Sequence, residues 1–372
     1  MGIRARTLEN MEVNREFWSG KRVLVTGHTG FKGSWLCIWL DRLGARVTGI
    51  ARAPETNPSL FNLADIGQSI DSHFGDIQNA RTLQEVFLKT SPEIVFHLAA
   101  QSLVRASYRE PVETYATNIM GTVHLLEAAR QTGGVRAVVV VTTDKCYDNR
   151  NWEWGYREND RLGGFDPYSS SKAAAEMVTA AYRSSYFNSG PRHGDGAGTA
   201  VATARAGNVI GGGDWAEDRL IPDIVRAVLR GEPVRIRNPH AIRPWQHVVE
   251  PLSGYLLLAQ KLCVEGSAFA EAWNFGPEQT DARTVDWIVQ QLISLWGQST
   301  TWQSDSGDNP YEANYLKLDI SKARSRLGWT PRLRLLTALQ WTMDWYKAWG
   351  KGDEMRQHCV RQIDDYVNLR EP

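Results

Sequence analysis

Short β-branched runs alternate along this chain with longer stretches whose apolar residues recur at helical spacing. The first run, 22–26, carries Val23, Leu24 and Val25 and predicts a strand. Trp35, Leu36, Ile38, Trp39 and Leu40 then predict a helix over 34–43, which Gly44 ends, and 46–50 predicts a second strand. Runs at 69–74, 93–100, 137–143 and 199–206 predict four more strands. Helices over 78–90, 111–131 and 168–187 lie between them. Strands that alternate with helices imply a parallel, doubly wound α/β sheet.

The pattern changes from Gly207 onward. A glycine loop, Gly211 to Gly213, precedes segments that set arginines beside aromatics: Trp215 and Arg219, then Arg235, Arg237, Arg243 and Trp245. The stretch 331–369 reads as amphipathic helices with Leu336, Leu339, Trp341, Trp345 and Tyr346 among the apolar positions. The expected organisation is a polar lead-in over 1–20, a dinucleotide-binding domain over 21–206, and a smaller mixed α/β substrate-binding domain over 207–372. The chain is expected to cross between the two lobes. The loop 148–166, with Trp152, Glu153, Trp154, Arg157 and Glu158, is too long and aromatic for a plain connection and reads as functional. The stretch 188–198 is a Gly-rich polar insertion.

Between the first strand and its helix stand Gly27, Gly30 and Gly33, with Thr29 and Phe31 among them. Glycines there allow a tight turn and close approach of the backbone to a pyrophosphate, and the helix N-terminus offers free N–H groups. Strand, glycine turn, helix and strand together predict a Rossmann-type dinucleotide site. No acid ends the second strand; Arg52 stands there, either gripping a 2′-phosphate, which leans toward NADP, or simply solvated. Asp76 ends the third strand, where it can bond an adenine amine or cap the next helix, and Ile77 follows it. Ala99 and Ala100, after Leu98, leave room for a cofactor backbone, and Asn118 lies in the helix 111–131. His97 reads as a satisfied core histidine.

Composition narrows the partners. The chain has 372 residues, enough for one large or two modest domains, and its 42 basic and 42 acidic residues cancel. That balance gives no electrostatic case for nucleic acid or a membrane surface. Cys37, Cys146, Cys263 and Cys359 form no close pair and read as reduced thiols, not as a disulfide or metal site. No signal peptide or membrane-spanning run is visible, so the cytoplasm is the expected compartment.

The chemistry gathers in two places. An apolar run ends in Thr143, Asp144 and Lys145, and Tyr168 is followed four residues on by Lys172. Positions i and i+4 share a helix face, and an ammonium near a phenol favours the phenolate, a base near neutral pH. Arginines with tryptophans suit a diphosphate and a flat ring, although each arginine could equally serve a surface ion pair.

The run from Thr142 to Asn149 resembles the extended short-chain dehydrogenases/reductases that act on nucleotide sugars. Within them it is most similar to the 4,6-dehydratase family, in its CDP-glucose branch. The segments 152–160, 163–168, 207–215, 243–248 and 312–319 match as well, and the resemblance spans 20–366. It implies bound NAD, regenerated in each turnover, which outweighs the Arg52 argument. It implies CDP-glucose as substrate and a homodimer or dimer of dimers through 111–131 and 168–187. The implied reaction oxidises C4, eliminates water across C5–C6 and returns hydride to C6, a step of O-antigen-type deoxysugar biosynthesis. Tyr168 would take the 4-OH proton, with Lys172 lowering its pKa and holding the nicotinamide ribose, and Thr143 would bond the 4-oxygen. Asp144 would be the acid for the 6-OH. Lys145 stands where the family usually has Glu: it either takes the C5 proton, which requires a neutral amine, or orients Asp144 and stabilises an enolate. Substrate contacts are expected from Gln101, Asn208, Trp215, Arg219, Arg243 and Tyr311. The rival readings are an epimerase or dehydratase for a dTDP- or GDP-linked sugar, and a non-catalytic dinucleotide sensor.

Overall fold

The computed structural model describes residues 12–187, 198–297, 301–305, 307 and 315–369. β1 (Arg22–Thr26), β2 (Arg46–Ala51), β3 (Asp71–Phe74), β4 (Ile94–His97), β5 (Ala137–Val141) and β6 (Ala200–Ala206) join the strand Ala272–Phe275 in one seven-stranded sheet. The order is 272–275, β6, β5, β4, β1, β2, β3, and every pairing is parallel. The chain therefore switches direction between β1 and β4, which opens a crevice at their carboxyl ends. β4, β5 and β6 are buried along their whole length, as strands covered on both faces must be. Leu24, Val95 and Val138 face a core shared with the helices Ala80–Thr90 and Gly121–Gln131. Val23, Phe96 and Val139 face a larger core, shared with Phe31–Arg42 and Val249–Glu265.

Two expected strands end early. After His97 the backbone leaves the ladder, and Ala99 N donates to the Thr26 hydroxyl at 3.1 Å. After Val141 the chain enters a single 3₁₀ turn, Asp144–Cys146, capped by Thr143, whose hydroxyl accepts from Lys145 N at 3.3 Å. The helix expected over 111–131 is continuous but widens to a π turn at Ala116–Met120, a form frequent at functional sites.

The glycine turn is enforced by backbone proximity. Gly27 has φ +77°, and a Cβ there would lie 2.7 Å from Ala99 N; a Cβ on Gly33 would lie 2.1 Å from the Gly27 carbonyl oxygen. No flexible side chain can yield at Gly33. Gly33→Ala is expected to cost the upper end of about 1–3 kcal/mol, read as a lower Tm, and to abolish dinucleotide binding by titration.

The remaining chain builds a lobe over the crevice. Val209–Ile210 pairs with Gln246–His247, Ile242–Arg243 with Arg283–Thr284, and Val234–Ile236 with Trp302–Ser304. This part is not separate from the sheet. It supplies the strand 272–275, and its terminal helices Leu335–Gly350 and Met355–Val367 pack back toward Phe31–Arg42, where Trp35 Nε1 donates to Gly212 O at 2.9 Å and Arg42 pairs with Asp364 at 3.2 Å. The described part of the polar lead-in is also tied down: Arg15–Trp18 is a short helix, and the buried Trp18 donates to Gln260 Oε1 at 2.8 Å.

The C-terminal helix is anchored by a buried carboxylate. Glu250 accepts from Arg332 N at 2.7 Å, from Leu333 N at 2.5 Å and from the Tyr366 hydroxyl at 2.8 Å. Burial pushes its carboxyl up to about 7, against these donors. An acid whose folded pKa is raised stays protonated in the fold while the unfolded chain has already lost its proton, so stability falls as pH rises from 4.5 to about 7. The loss is about 3 kcal/mol. Glu250→Gln should flatten this decline in Tm against pH.

Among the described residues no helix is long and apolar enough to cross a membrane. Nor do any three His, Cys, Asp or Glu side chains there converge on a metal position. All four cysteines are buried and free.

Candidate active site

Two cavities meet at the crevice. One, of about 660 Å³, runs along the glycine turn; the other, of about 520 Å³, lies between the 3₁₀ turn and the second lobe. Lys32, Thr142, Tyr168, Asp214 and Arg219 line both. Tyr168 thus stands at the junction, brought there by the helix Pro167–Tyr182. Asp166 caps that helix, accepting from Ser169 N at 2.9 Å.

Thr143, Asp144 and Lys145 face the smaller cavity with Tyr168. The Thr143 hydroxyl donates to Asp144 Oδ1 at 3.0 Å, while Asp144 Oδ2 is buried without a partner. Burial pushes the Tyr168 phenol up to about 12; a hydrogen bond with Thr143 and the Arg219 charge pull it down, and Asp144 and Asp166 push it further up. Lys172 was expected to supply that downward pull. Its amine donates to Val141 O at 3.1 Å, and the Arg219 charge pulls the phenol down. Burial lowers the Lys172 amine to about 8, opposed by Glu176 and Cys146.

The larger cavity fits a dinucleotide. Gly27, Thr29, Gly30, Phe31 and Gly33 line it on one side, and Asp76, Ile77, Leu98, Ala99 and Ala100 on another, with Tyr168 and Lys172 at its inner end. The glycine cradle is a space that any Cβ would fill. Asp76 does not cap the helix Ala80–Thr90; Asn79 does, while Asp76 Oδ1 accepts from Gln78 N at 2.8 Å and lines the cavity. Arg52 also lines it, but Glu55 bonds it and Glu113 pairs with it at 3.2 Å. Its charge, raised in pKa first by the Glu55 bond, is already answered, so the lean toward a 2′-phosphate is corrected: two carboxylates stand where an arginine alone was expected. Asn118 does not reach the cavity. Its amide is consumed by Gln101 N, Gln101 O and Ser171 Oγ at 2.9, 3.0 and 2.8 Å, so it braces the wall.

In the smaller cavity, Asn208, Arg219 and Arg243 are all present, and Asn208 Oδ1 is a second buried acceptor without a partner. Arg219 bonds Asp214 at 3.0 Å and Ser102 at 2.9 Å. Two expected substrate contacts lie elsewhere. Gln101 borders the dinucleotide cavity, its amide spent on Leu103 and Thr114. Trp215 borders the same cavity and packs edge-on against Tyr346 and Trp349, with centroids 5.3 and 4.7 Å away. Tyr311 lies outside the described residues. His97 is a satisfied core histidine: its Nδ1 lies 2.8 Å from Thr26 Oγ1 and its Nε2 3.2 Å from Thr122 Oγ1.

Sequence reasoning singled out Arg235 and Arg237 but missed Arg105 and Lys32, which also line this cavity. Arg105 and Arg237 both pair with Asp218, at 3.3 and 3.5 Å, and Arg235 lies beside them. Lys32 stands inside the glycine motif, where its spacing gave it no role. Burial, with Arg219 and Lys172 adding, lowers its amine to about 7, against Asp144 and Asp214.

A doubly wound sheet whose glycine-lined cleft opens onto a tyrosine–lysine helix and a threonine at a strand end defines a short-chain dehydrogenase of the extended kind. Residues 24–342 match the model of the GDP-mannose 4,6 dehydratase family, and the chain belongs to that family. It is 54% identical to the CDP-glucose 4,6-dehydratase of Salmonella typhimurium over 96% of this chain and 99% of that one. Among solved structures, MoeE5 in complex with UDP-glucose and NAD is similar at TM-score 0.71 and 29% identity, over 88% of this chain and 99% of that one. The dTDP-glucose 4,6-dehydratase of Bacillus anthracis shares the fold at TM-score 0.73 and 24% identity, over 91% and 100%.

Proposed function

We propose that the protein is an NAD-dependent CDP-glucose 4,6-dehydratase, converting CDP-D-glucose to CDP-4-keto-6-deoxy-D-glucose with loss of water. One arrangement carries the reading: Thr143, Asp144, Lys145 and Tyr168 face a single cavity that opens onto the glycine-lined cleft at Tyr168 and Arg219. NAD, when bound, takes the C4 hydride and later returns it to C6. Tyr168 removes the 4-OH proton while Thr143 bonds that oxygen. Lys172 holds the nicotinamide ribose. The C4 ketone acidifies C5–H, Lys145 takes that proton and gives one back to C5 when hydride reaches C6, and Asp144 gives one to the departing 6-OH. Asn208, Arg219 and Arg243 hold the diphosphate.

The CDP assignment is supported by the 54% identity to a CDP-glucose enzyme, and NAD over NADP by the neutralised Arg52. A homodimer is supported by the apolar side chains that the two long helices leave exposed, Val112 at 81% and Met177 at 57%; light scattering on the purified protein tests it. The function is tested by incubating the protein separately with CDP-glucose, dTDP-glucose and GDP-mannose and following loss of one water by mass spectrometry. Loss from CDP-glucose alone is expected. Loss from another sugar keeps the dehydratase and discards the CDP assignment; no loss with NAD or NADP added overturns both.

A further inference from the structure

The buried ion pair behind the catalytic helix takes part in none of these steps. Glu176 lies one turn after Lys172, and its carboxylate is fully satisfied. Oε1 accepts from the Thr142 hydroxyl and from Arg205 Nε at 2.9 Å; Oε2 accepts from the Thr203 hydroxyl at 2.6 Å and from Arg205 Nη2 at 2.9 Å. Both side chains are 3% exposed. Arg205 goes on to donate to the Tyr147 hydroxyl at 2.8 Å and to Glu158 O at 3.0 Å, and the Tyr147 hydroxyl donates to Asn274 Oδ1 at 2.7 Å. One pair therefore fastens the catalytic helix to both ends of the turn that carries Asp144 and Lys145, and to the long aromatic loop.

Packing alone does not call for charge here. Two buried ions are costly to desolvate, and apolar side chains of similar volume often hold a fold as well. A charge-specific task lies one turn away. The Lys172 amine is buried and has a single recorded hydrogen bond, to the carbonyl that precedes Thr142.

We propose that Glu176, held in place by Arg205, is a positioning residue that keeps the Lys172 amine cationic and sets the 142–147 turn for reaction. The inference rests on the dehydratase reading for its role in turnover, but not for its effect on Lys172. The groups around Lys172 separate its titration from others. On its own helix Glu176 favours the ammonium. Burial raises the Cys146 thiol and lowers His97, on β4, to about 3, so both stay neutral near pH 7. Lys32, beside the glycine turn, and Tyr168 also titrate, lowered to about 7 and raised to about 12, so the assigned Lys172 signal is followed apart from both.

The test follows Lys172 itself by NMR against pH, in protein carrying isotope-labelled lysine, the signal assigned with Lys172→Arg. In Glu176→Gln its midpoint should fall by about one to three pH units, because the carboxylate that favours the ammonium is gone. The alkaline limb of turnover with CDP-glucose should fall with it. Glu176→Asp should restore both. Since Glu176→Gln leaves a buried unpaired Arg205, the double variant Glu176→Gln/Arg205→Met is measured beside it and should show the same lowered midpoint. An unmoved midpoint in either folded variant overturns the proposal. So does failure of both neutral variants to fold while Glu176→Asp behaves as wild type, for the pair is then a folding element. If Lys172 shifts in a protein that acts on no nucleotide sugar, the dehydratase reading fails and the Glu176–Lys172 coupling stands.

Discussion

Tyr168→Phe should lower turnover about a thousandfold or more, while dinucleotide affinity stays near wild type. The ring would still fill its place at the junction of the two cavities, and only the phenol oxygen would be lost. That oxygen is the one group bonded to Thr143 that faces both the dinucleotide cleft and the sugar cavity, so no neighbour can take over its proton transfer. The pH profile sharpens the expectation. Burial holds the phenol at about 12, above its ordinary 10. A base must be deprotonated to act, so wild-type hydride transfer should rise with pH, the Arg219 charge bringing the phenolate within reach and Asp144 opposing it. The variant should lose that rise. Single-turnover formation of reduced nicotinamide on adding CDP-glucose, followed from pH 6 to about 9, checks both points. A variant that keeps the wild-type rate would remove Tyr168 from the mechanism.

Much of this site was legible in the sequence because its elements are local. The glycine turn is fixed by contacts between Gly27 and Gly33 and by the strand before them, so spacing alone carried it. The Tyr168 to Lys172 interval is one helical turn, and the helix formed within a residue of its expected start, at Pro167. What could not be read depends on parts far apart in the chain. Arg52 looked available because Glu113, 61 residues on, is invisible to local reading. Trp215 looked like a base-stacking residue until the C-terminal helix brought Tyr346 and Trp349 against it. Gln101 was expected to touch substrate, yet Asn118 and Thr114, 17 and 13 residues on, take up its polar groups. Glu176 carries no local signal of a role. Only the pairing of β5 with β6 sets Thr142 and Arg205 around it. The pattern also put a boundary at Gly207, whereas the sheet takes its last strand from Ala272–Phe275, on a segment far beyond it.

Lys145→Met should stop incorporation of solvent deuterium at C5, by about 10²–10⁴-fold, while substrate still reduces the nicotinamide. Asp144→Asn should do the reverse, keeping exchange at C5 and slowing loss of water. The two variants separate because the turn presents its groups differently. Asp144 has one oxygen bonded to Thr143, and the other is buried, unpartnered and on the sugar cavity, the position of an acid waiting for a hydroxyl. Lys145 spends its backbone N–H on Thr143, and its residue borders the sugar cavity but not the dinucleotide cleft. Lys145 therefore stands among the groups that face the smaller cavity and away from the dinucleotide cleft, as a C5 base must. Deuterium exchange measured by mass spectrometry on recovered substrate and product decides between the two roles. Unchanged exchange in Lys145→Met would leave the lysine as an orienter of Asp144 or as the cation beside an enolate. Lost exchange with preserved hydride transfer would make it the base.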